Sequence, residues 1–271
     1  MFYLLLAIFG CMTGVSAVLF GFGGGFVVVP LLYWMLLSSQ GADSAAGHSA
    51  MHIAVATSTC VMIVNALVAS WRHQRAGTLV RHYLWPLGAY IALGAMFGAA
   101  AAMWVSGEVI RYAFIVYLGI TIADCLLRRG FLEQVNQAQA RRLGGAETLL
   151  GGVGIGVIAT FLGVGGSVMT VPLLRRCGLS MTQATSMANP LSVPVALAGT
   201  ATYLALARFS PSDFGPGFIG YVDLLAFSVL SLGSLLGIRL ATPWIGRIPD
   251  RVHARVYIGL LLLVLISLCL K

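Results

Sequence analysis

Apolar residues fill long stretches of this chain and polar ones are confined to the gaps between them: the runs fall near 2–38, 50–70, 83–105, 109–127, 148–177, 183–207, 221–243 and 254–270. They are rich in Leu, Ala and Val and lack the period-two alternation of barrel strands, so each predicts helix. A hydrocarbon core of about 30 Å takes about 20 such residues per crossing. The first and fifth runs are too long for one ordinary span. Each is interrupted by glycines, "GFGGGFVVVPLL" at 21–32 and "GVGGSVMTVPLL" at 163–174, and a shift of 142 places Gly163, Gly165, Gly166 and Pro172 on Gly21, Gly23, Gly24 and Pro30. Both runs therefore read as helical hairpins, made either of two full crossings or of two half-helices that meet inside the membrane.

Other motifs repeat in the same order. "ATS" at 56–58 returns at 184–186, "LGAMFG" at 93–98 answers "LGSLLG" at 232–237, and Arg111 answers Arg255. The longest polar stretch lies between the copies. The expected fold is an all-α polytopic membrane protein built as two repeats, each a glycine-broken hairpin plus three transmembrane helices. Residues 1–127 form the first repeat, 128–147 a cytoplasmic linker and 148–271 the second repeat.

Composition supports the membrane reading. Of the 271 residues 59% are hydrophobic and 9% charged, with a mean hydropathy of +0.94, against about 45–50% and roughly 25% in soluble domains. The net charge of +8 comes from short clusters between apolar runs, which argues against a nucleic-acid partner and for a topological signal. Residues 1 to about 20 lack the basic start and small-residue cleavage site of a signal peptide, so they read as a retained first helix.

A hairpin plus three crossings is an odd number, so the second repeat is expected to be inverted. One face then receives Arg72, Arg75, Arg81, Arg128, Arg129, Arg141, Arg142, Arg175, Arg176, Arg239, Arg247 and Arg251. The other receives Asp43, Glu108 and the pair Arg208 and Asp213. The positive-inside rule makes the first face cytoplasmic and puts both termini outside. Inverted repeats with discontinuous helices are characteristic of secondary transporters.

Glycine costs roughly 1 kcal/mol relative to alanine within a helix, and is used where the chain turns sharply or something approaches closely. Four pairs at G-xxx-G spacing, Gly10/Gly14, Gly94/Gly98, Gly152/Gly156 and Gly233/Gly237, read as helix packing sites. The dense clusters read differently. A helix starting after such a turn exposes N–H groups and a partial positive charge, which suits an anion. The candidate binding residues are Gly21, Gly23, Gly24, Gly25, Gly163, Gly165, Gly166 and Ser167, with Thr57, Ser58, Thr185, Ser186 and Asn189 supplying polar side chains. Pro30, Pro172, Pro190 and Pro194 are expected to bend or break their helices.

Acidic groups are nearly absent from the spans. Asp124 is expected to pair with Arg128 one turn on, Asp223 to favour a helix start, and His52 to be solvated at the outer surface. This scarcity disfavours a cation site. No metal or cofactor motif is visible, and the five cysteines, Cys11, Cys60, Cys125, Cys177 and Cys269, show no ligand spacing.

The paired G-x-G-G-(G/S) and V-P-L-L stretches, each followed by A-T-S, resemble the sulfite exporter TauE/SafE-like family of bacterial membrane transporters from about Gly10 to the last helix. Ser167 departs from the third glycine of the first copy, and Asn189, Pro190 and Pro194 have no first-half counterparts. The resemblance implies export of a small sulfur-containing or organic anion, such as sulfite or a sulfonate, across the bacterial inner membrane by alternating access. It leaves the anion, the oligomeric state and any coupling proton or other ion unnamed. A passive anion channel shares the inverted repeat and dipole-lined pore. An intramembrane hydrolase using Ser167 is a further reading, weakened because no span centre carries a histidine base.

Overall fold

The computed structural model describes residues 2–41, 43–127, 143–208 and 214–270. Arg128, Arg129, Arg141, Arg142, Asp213 and most of the expected linker lie outside the described residues. The rest is helical apart from loops and one small hairpin of β1 (Phe218–Ile219) and β2 (Val222–Asp223). The helices are α1 (Phe2–Phe20), α2 (Gly25–Gln40), α3 (Ala45–His48), α4 (Ala50–Arg75), α5 (Leu87–Met103), α6 (Gly107–Leu127), α7 (Gly145–Leu162), α8 (Ser167–Arg176), α9 (Met181–Ala207), α10 (Leu224–Ala241) and α11 (Asp250–Cys269). Among the described residues, six helical stretches are long and apolar enough to cross a membrane: those of α4, α6, α7, α9, α10 with its following turn, and α11.

Local chemistry sets the helix boundaries. Ser180 and Gln183 start α9 with reciprocal bonds, each side chain accepting from the other's backbone N–H at 3.2 and 3.1 Å. The Asp223 carboxylate accepts from the N–H groups of Leu225 and Ala226 at the start of α10, the dipole-favoured position expected of it. Glu147 accepts from Gly144 N–H, so α7 begins three residues ahead of its apolar run. The last turn of α4 carries Arg72, His73 and Arg75, and that of α8 carries Arg175 and Arg176.

The four expected proline breaks are not where the chain breaks. Pro30 lies within α2, Pro172 within α8, and both Pro190 and Pro194 within the single helix α9. A proline removes one N–H and crowds the preceding turn, but membrane helices tolerate this when neighbouring helices cover the freed carbonyls. The breaks fall instead at glycines. Gly21, Gly23, Gly24, Gly163 and Gly165 all have positive φ, between 61° and 91°, a region costly for any residue with a β-carbon.

Packing is organised by two near-contacts of backbone on backbone. On the α1/α10 pair, a β-carbon added to Gly14 would lie 2.0 Å from the Ser234 oxygen, and one on Gly237 would lie 2.0 Å from the Cys11 oxygen. On the α5/α7 pair, one on Gly98 would lie 2.1 Å from the Val157 oxygen, and one on Gly156 would lie 2.1 Å from the Ile91 oxygen. Added β-carbons on Gly94, Gly233, Gly152 and Gly10 would also stand within 2.2–2.8 Å of the facing helix. All four G-xxx-G pairs therefore pack as the spacing predicts, and they do so reciprocally. Between these pairs, α4 and α9 pack on each other, α4 against α10 and α9 against α5, while α6 packs on α11.

Two further expectations come out differently in detail. Asp124 meets Arg176 of α8 at 2.5 Å, whereas its expected partner Arg128 lies outside the described residues. His52 is half-buried and its Nε2 is 3.0 Å from the Val105 carbonyl, so the loop before α6 holds it rather than bulk water.

Gly14→Ala and Gly98→Ala should each lower stability by about 1–3 kcal/mol, the range for overpacking. Gly119→Ala and Gly259→Ala, which have open space around them, should be neutral or stabilising by up to about 1 kcal/mol through helix propensity. Unfolding of purified protein in detergent would measure both sets.

Candidate functional site

The two glycine turns meet. A β-carbon on Gly25 would stand 2.3 Å from the Gly163 oxygen, and one on Gly165 would stand 3.8 Å from the Phe22 oxygen. Both turns also face the same two side chains: Gly23 and Gly165 each lie against the Met62 sulfur and the Ser192 hydroxyl. Met62 is at the middle of α4 and Ser192 near the middle of α9, so the turns sit halfway along the two central helices. Residues 21–26 and 163–168 are all buried.

The hydrogen-bond inventory of this region is lopsided. Gly21 and Phe22 close the end of α1 by donating to the Ala17 and Ser16 carbonyls, and Gly163 and Val164 close α7 by donating to Thr160 and Ala159. Among the described residues, the backbone N–H groups of Gly23, Gly24 and Gly25 have no acceptor, and neither do those of Gly165, Gly166 and Ser167. The Ser167 hydroxyl is fully buried and also unpartnered. Buried N–H groups without partners are rare in native proteins because each carries a desolvation cost. Here they cluster at two helix starts, where the backbone dipole adds partial positive charge.

Asn65 adds a side chain to this group. Its Oδ1 is 2.5 Å from the Ser234 hydroxyl, while its Nδ2 has no partner and faces the first turn so closely that a β-carbon on Gly24 would be 1.9 Å away. An unpaired amide donor thus joins the unpaired backbone donors. The second turn has an apolar counterpart, Val195, against Gly166.

The five expected polar side chains are not brought together. Ser58 is in place, donating to the Gly163 carbonyl at 2.9 Å. Thr185 reaches the first turn only through its backbone, since its hydroxyl bonds back to Met181 and Thr182 while its carbonyl lies 2.5 Å from a β-carbon on Gly21. Thr57 instead holds β2, accepting from Asp223 N–H at 3.0 Å. Ser186 lies among His73, Thr78 and Thr182. Asn189 is buried with neither amide atom partnered.

The reason is register. Gly163 lies against Val55 and Ser58 and Gly21 against Thr185 and Ala188, while Met62 faces Ser192 across the turns. Residues with matching environments on α4 and α9 therefore differ by 130, whereas the two "ATS" triplets differ by 128. Two residues along a helix rotate a side chain by about 200°, which places the second "TS" on another face. Asn65, Met62 and Ser192 occupy the positions that the triplets were expected to fill. The signal is the spacing of four and seven residues from Ser58 for Met62 and Asn65, and of seven residues from Thr185 for Ser192, the recurrence of one helix face.

Gly24→Ala should destabilise the protein by more than about 1 kcal/mol, because it adds a β-carbon at positive φ and against Asn65. In a double-mutant cycle, Asn65→Ala should recover the steric part of that loss and leave the backbone part, a coupling that unfolding in detergent would read.

Ser167 has no general base within reach, which removes the reading of that serine as a nucleophile. Comparison with known proteins agrees. Residues 6–268 match the family described as "Sulfite exporter TauE/SafE". A "probable membrane transporter protein" of Haemophilus influenzae is 23% identical over 274 residues, covering 100% of this chain and 99% of that protein. One from Methanocaldococcus jannaschii is 21% identical over 242 residues, covering 87% and 85%, and one from Bacillus subtilis is 23% identical over 245 residues, covering 89% of each. With a family match running almost end to end and long apolar helices throughout, this chain is a multi-pass membrane transporter rather than an enzyme, and it belongs to the sulfite exporter TauE/SafE family.

Proposed function

We propose that the protein is a secondary carrier that exports a small oxyanion, sulfite or a sulfonate, with the anion held between the two glycine turns. The observation that carries this reading is the cluster of buried donors without acceptors at the starts of α2 and α8, joined by Asn65 Nδ2 and Ser167 Oγ. An oxyanion offers several strong acceptors and the negative charge that two helix starts favour. The chemical class of the anion rests on the family name.

The carrier reading includes two inverted repeats, α1–α6 and α7–α11. It is supported by the pairing of equivalent helices across the halves, α1 with α10 and α7 with α5, through matching glycines. It is supported also by the matching environments 130 residues apart on α4 and α9. The distribution of arginines favours both termini outside, and the family resemblance favours a bacterial inner-membrane location. Met62 and Ser192 fill the space between the turns, which favours a carrier caught closed over a channel with a continuous pore.

A thermal-shift panel on purified protein with sulfite, sulfate, thiosulfate, sulfoacetate, taurine and lactate tests the site. A ligand bound only by the native state raises the melting temperature by mass action. One anion should do so. Ser167→Ala, which removes an unpartnered hydroxyl and leaves the fold intact, should weaken its affinity about tenfold, the worth of one hydrogen bond to a charged group. Asn65→Leu, of similar size and without donors, should weaken it at least as much. No shift with any anion in folded protein, or a shift unaltered in both variants, sinks the assignment.

Orientation is tested separately. A reporter enzyme that is active only outside the cytoplasm should be active when fused after Lys271 and inactive when fused within the loop around Gly77. The opposite pattern would overturn the topology.

A further inference from the structure

At the end of α1 that leads into the first glycine turn, two buried histidines take up consecutive carbonyls. His73, in the last turn of α4, has Nε2 2.7 Å from the Val18 oxygen, and His253, in the first turn of α11, has Nε2 2.7 Å from the Leu19 oxygen. They are 2% and 3% exposed. These carbonyls belong to the last turn of α1, whose oxygens have no partner further along the helix. The rings therefore tie the tip of the first hairpin to α4 and α11, one residue short of the turn that begins at Gly21.

A carbonyl oxygen only accepts, so Nε2 carries the hydrogen in each ring and Nδ1 of the neutral ring is an acceptor. The two Nδ1 atoms differ. That of His73 lies 3.0 Å from the hydroxyls of both Thr78 and Ser186, either of which can donate to it. That of His253 is buried without a partner. His253 also lines a cavity of about 10 Å³ together with His73, Thr182, Thr185, Trp244 and Gly246, the least room that one water needs.

Structural capping alone does not call for a titratable ring. The corresponding carbonyl at the end of α7, that of Thr160, is capped at 2.6 Å by the Tyr203 hydroxyl, and Tyr203 stands 130 residues after His73, the register found across the turns. The second half thus makes the same closure with a phenol. The first half uses two imidazoles, whose charge changes near neutral pH.

The surroundings set how much charge the pair accepts. On its own helix, His253 has Asp250 one turn earlier, whose oxygens are engaged by Arg175 of α8 at 2.9 Å and Met181 N–H of α9 at 2.6 Å. Arg251 on α11 and Arg247 before it are exposed. From α9 come Thr182, Thr185 and Ser186, α4 carries Arg72 and Arg75 beside His73, and from α1 come the carbonyl end of the helix and the edge-on Phe20 ring, centroid to centroid 5.1 Å. The negative end of the α1 dipole favours one imidazolium, while two side by side repel. Burial opposes charge on both rings, so the pair takes up at most one proton, and on the acid side of the free imidazole's range.

We propose that His73 and His253 form a proton-binding site, with the proton taken up on His253 Nδ1 from water at the adjoining cavity, and that its occupancy tightens the tie on the tip of the first hairpin. The charged ring donates to the Leu19 carbonyl more strongly than the neutral one, and loss of the proton loosens it. Coupling of this event to transport rests on the carrier reading above; binding of the proton and its effect on the hairpin do not.

Two measurements without any anion test it, so a failure here is separable from a failure of the oxyanion site. In protein carrying carbon-13 at the histidine ring, one resonance should titrate with a midpoint below the free imidazole's 6.5, because burial opposes the charged ring, and be absent from His253→Gln. It should persist in His73→Gln, since the ring of His73 stays neutral when His253 is charged. Amide hydrogen exchange across residues 16–26, corrected for the intrinsic effect of pH, should be several-fold slower on the acid side of that midpoint in the wild type. In His253→Gln, whose amide keeps a donor for Leu19 but cannot take a proton, this difference should vanish. A His253 resonance that does not titrate, or hairpin exchange that ignores its protonation, overturns the proposal. Should His253→Gln not fold, the titration and exchange of the wild type with His73→Gln decide by the same criteria.

Discussion

A backbone N–H or carbonyl in hydrocarbon has no water to turn to, and each one left without a partner costs several kcal/mol. This protein breaks two helices inside the bundle all the same, and most of its remaining architecture answers that constraint. The carbonyl ends of the breaks are closed by side chains from the other elements: His73 and His253 at α1, Tyr203 and Ser58 at α7. Longer-range bonds do the same at the far ends, where Arg111 donates to the Leu268 carbonyl and Trp34 to that of Ser267. The N–H ends of the breaks are the exception. Donors are left open at both helix starts while acceptors are capped, and an asymmetry of that sign is what an anion completes.

Such closure demands that other helices stand very close to the turns, and the glycine pairs supply the closeness. With carbonyl oxygens about 2 Å from where a β-carbon would be, α1 and α10 approach backbone to backbone, as do α5 and α7. The dispersion gained over such long contacts substitutes for a hydrophobic driving force that lipid does not provide. Each pair joins one half of the chain to the other. The halves are interlocked, and the central α4 and α9 are held at the distance where Met62 and Ser192 reach both turns.

Much of this was legible in the sequence because it is written in glycine and in length. The hairpins, the three helices after each and the packing role of the four G-xxx-G pairs follow from spacing that tolerates few alternatives, and the paired motifs carried the resemblance to the family. The side chains of the candidate site were less legible. Aligning "ATS" with "ATS" is the natural reading of a repeat, yet the structural register is two residues longer, and on a helix that error turns a residue to another face. Asn65 and Ser192 are ordinary polar residues in apolar runs, and only the turn they face gives them meaning. His73 and His253 were hidden for another reason. They stand at helix ends among arginines, where a sequence shows a basic loop and a structure shows two rings turned inward to carbonyls.

On the carrier reading, the same contacts restrict how the protein can move. The α1/α10 and α5/α7 pairs cannot slide without driving backbone into backbone, so each is expected to act as one rigid unit. Rocking of one repeat as a block against the other would break both pairs at once. Beyond Gly25, the second arms of the hairpins, α2 and α8, make no such contact, and they pivot from glycines that already occupy positive φ. Ten residues long, α8 carries Arg175 and Arg176 at its far end, bonded to Asp250 and Asp124, and so is anchored where it leaves the bundle and free where it meets the site. The α1 tip is the reverse: held by two histidines beside its turn. If one arm is tethered by fixed ion pairs and the other by rings that gain and lose a proton, the two halves are not equivalent switches, and the departures of the second copy from the first, Ser167 for Gly25 and Tyr203 for His73, are where their division of labour is written.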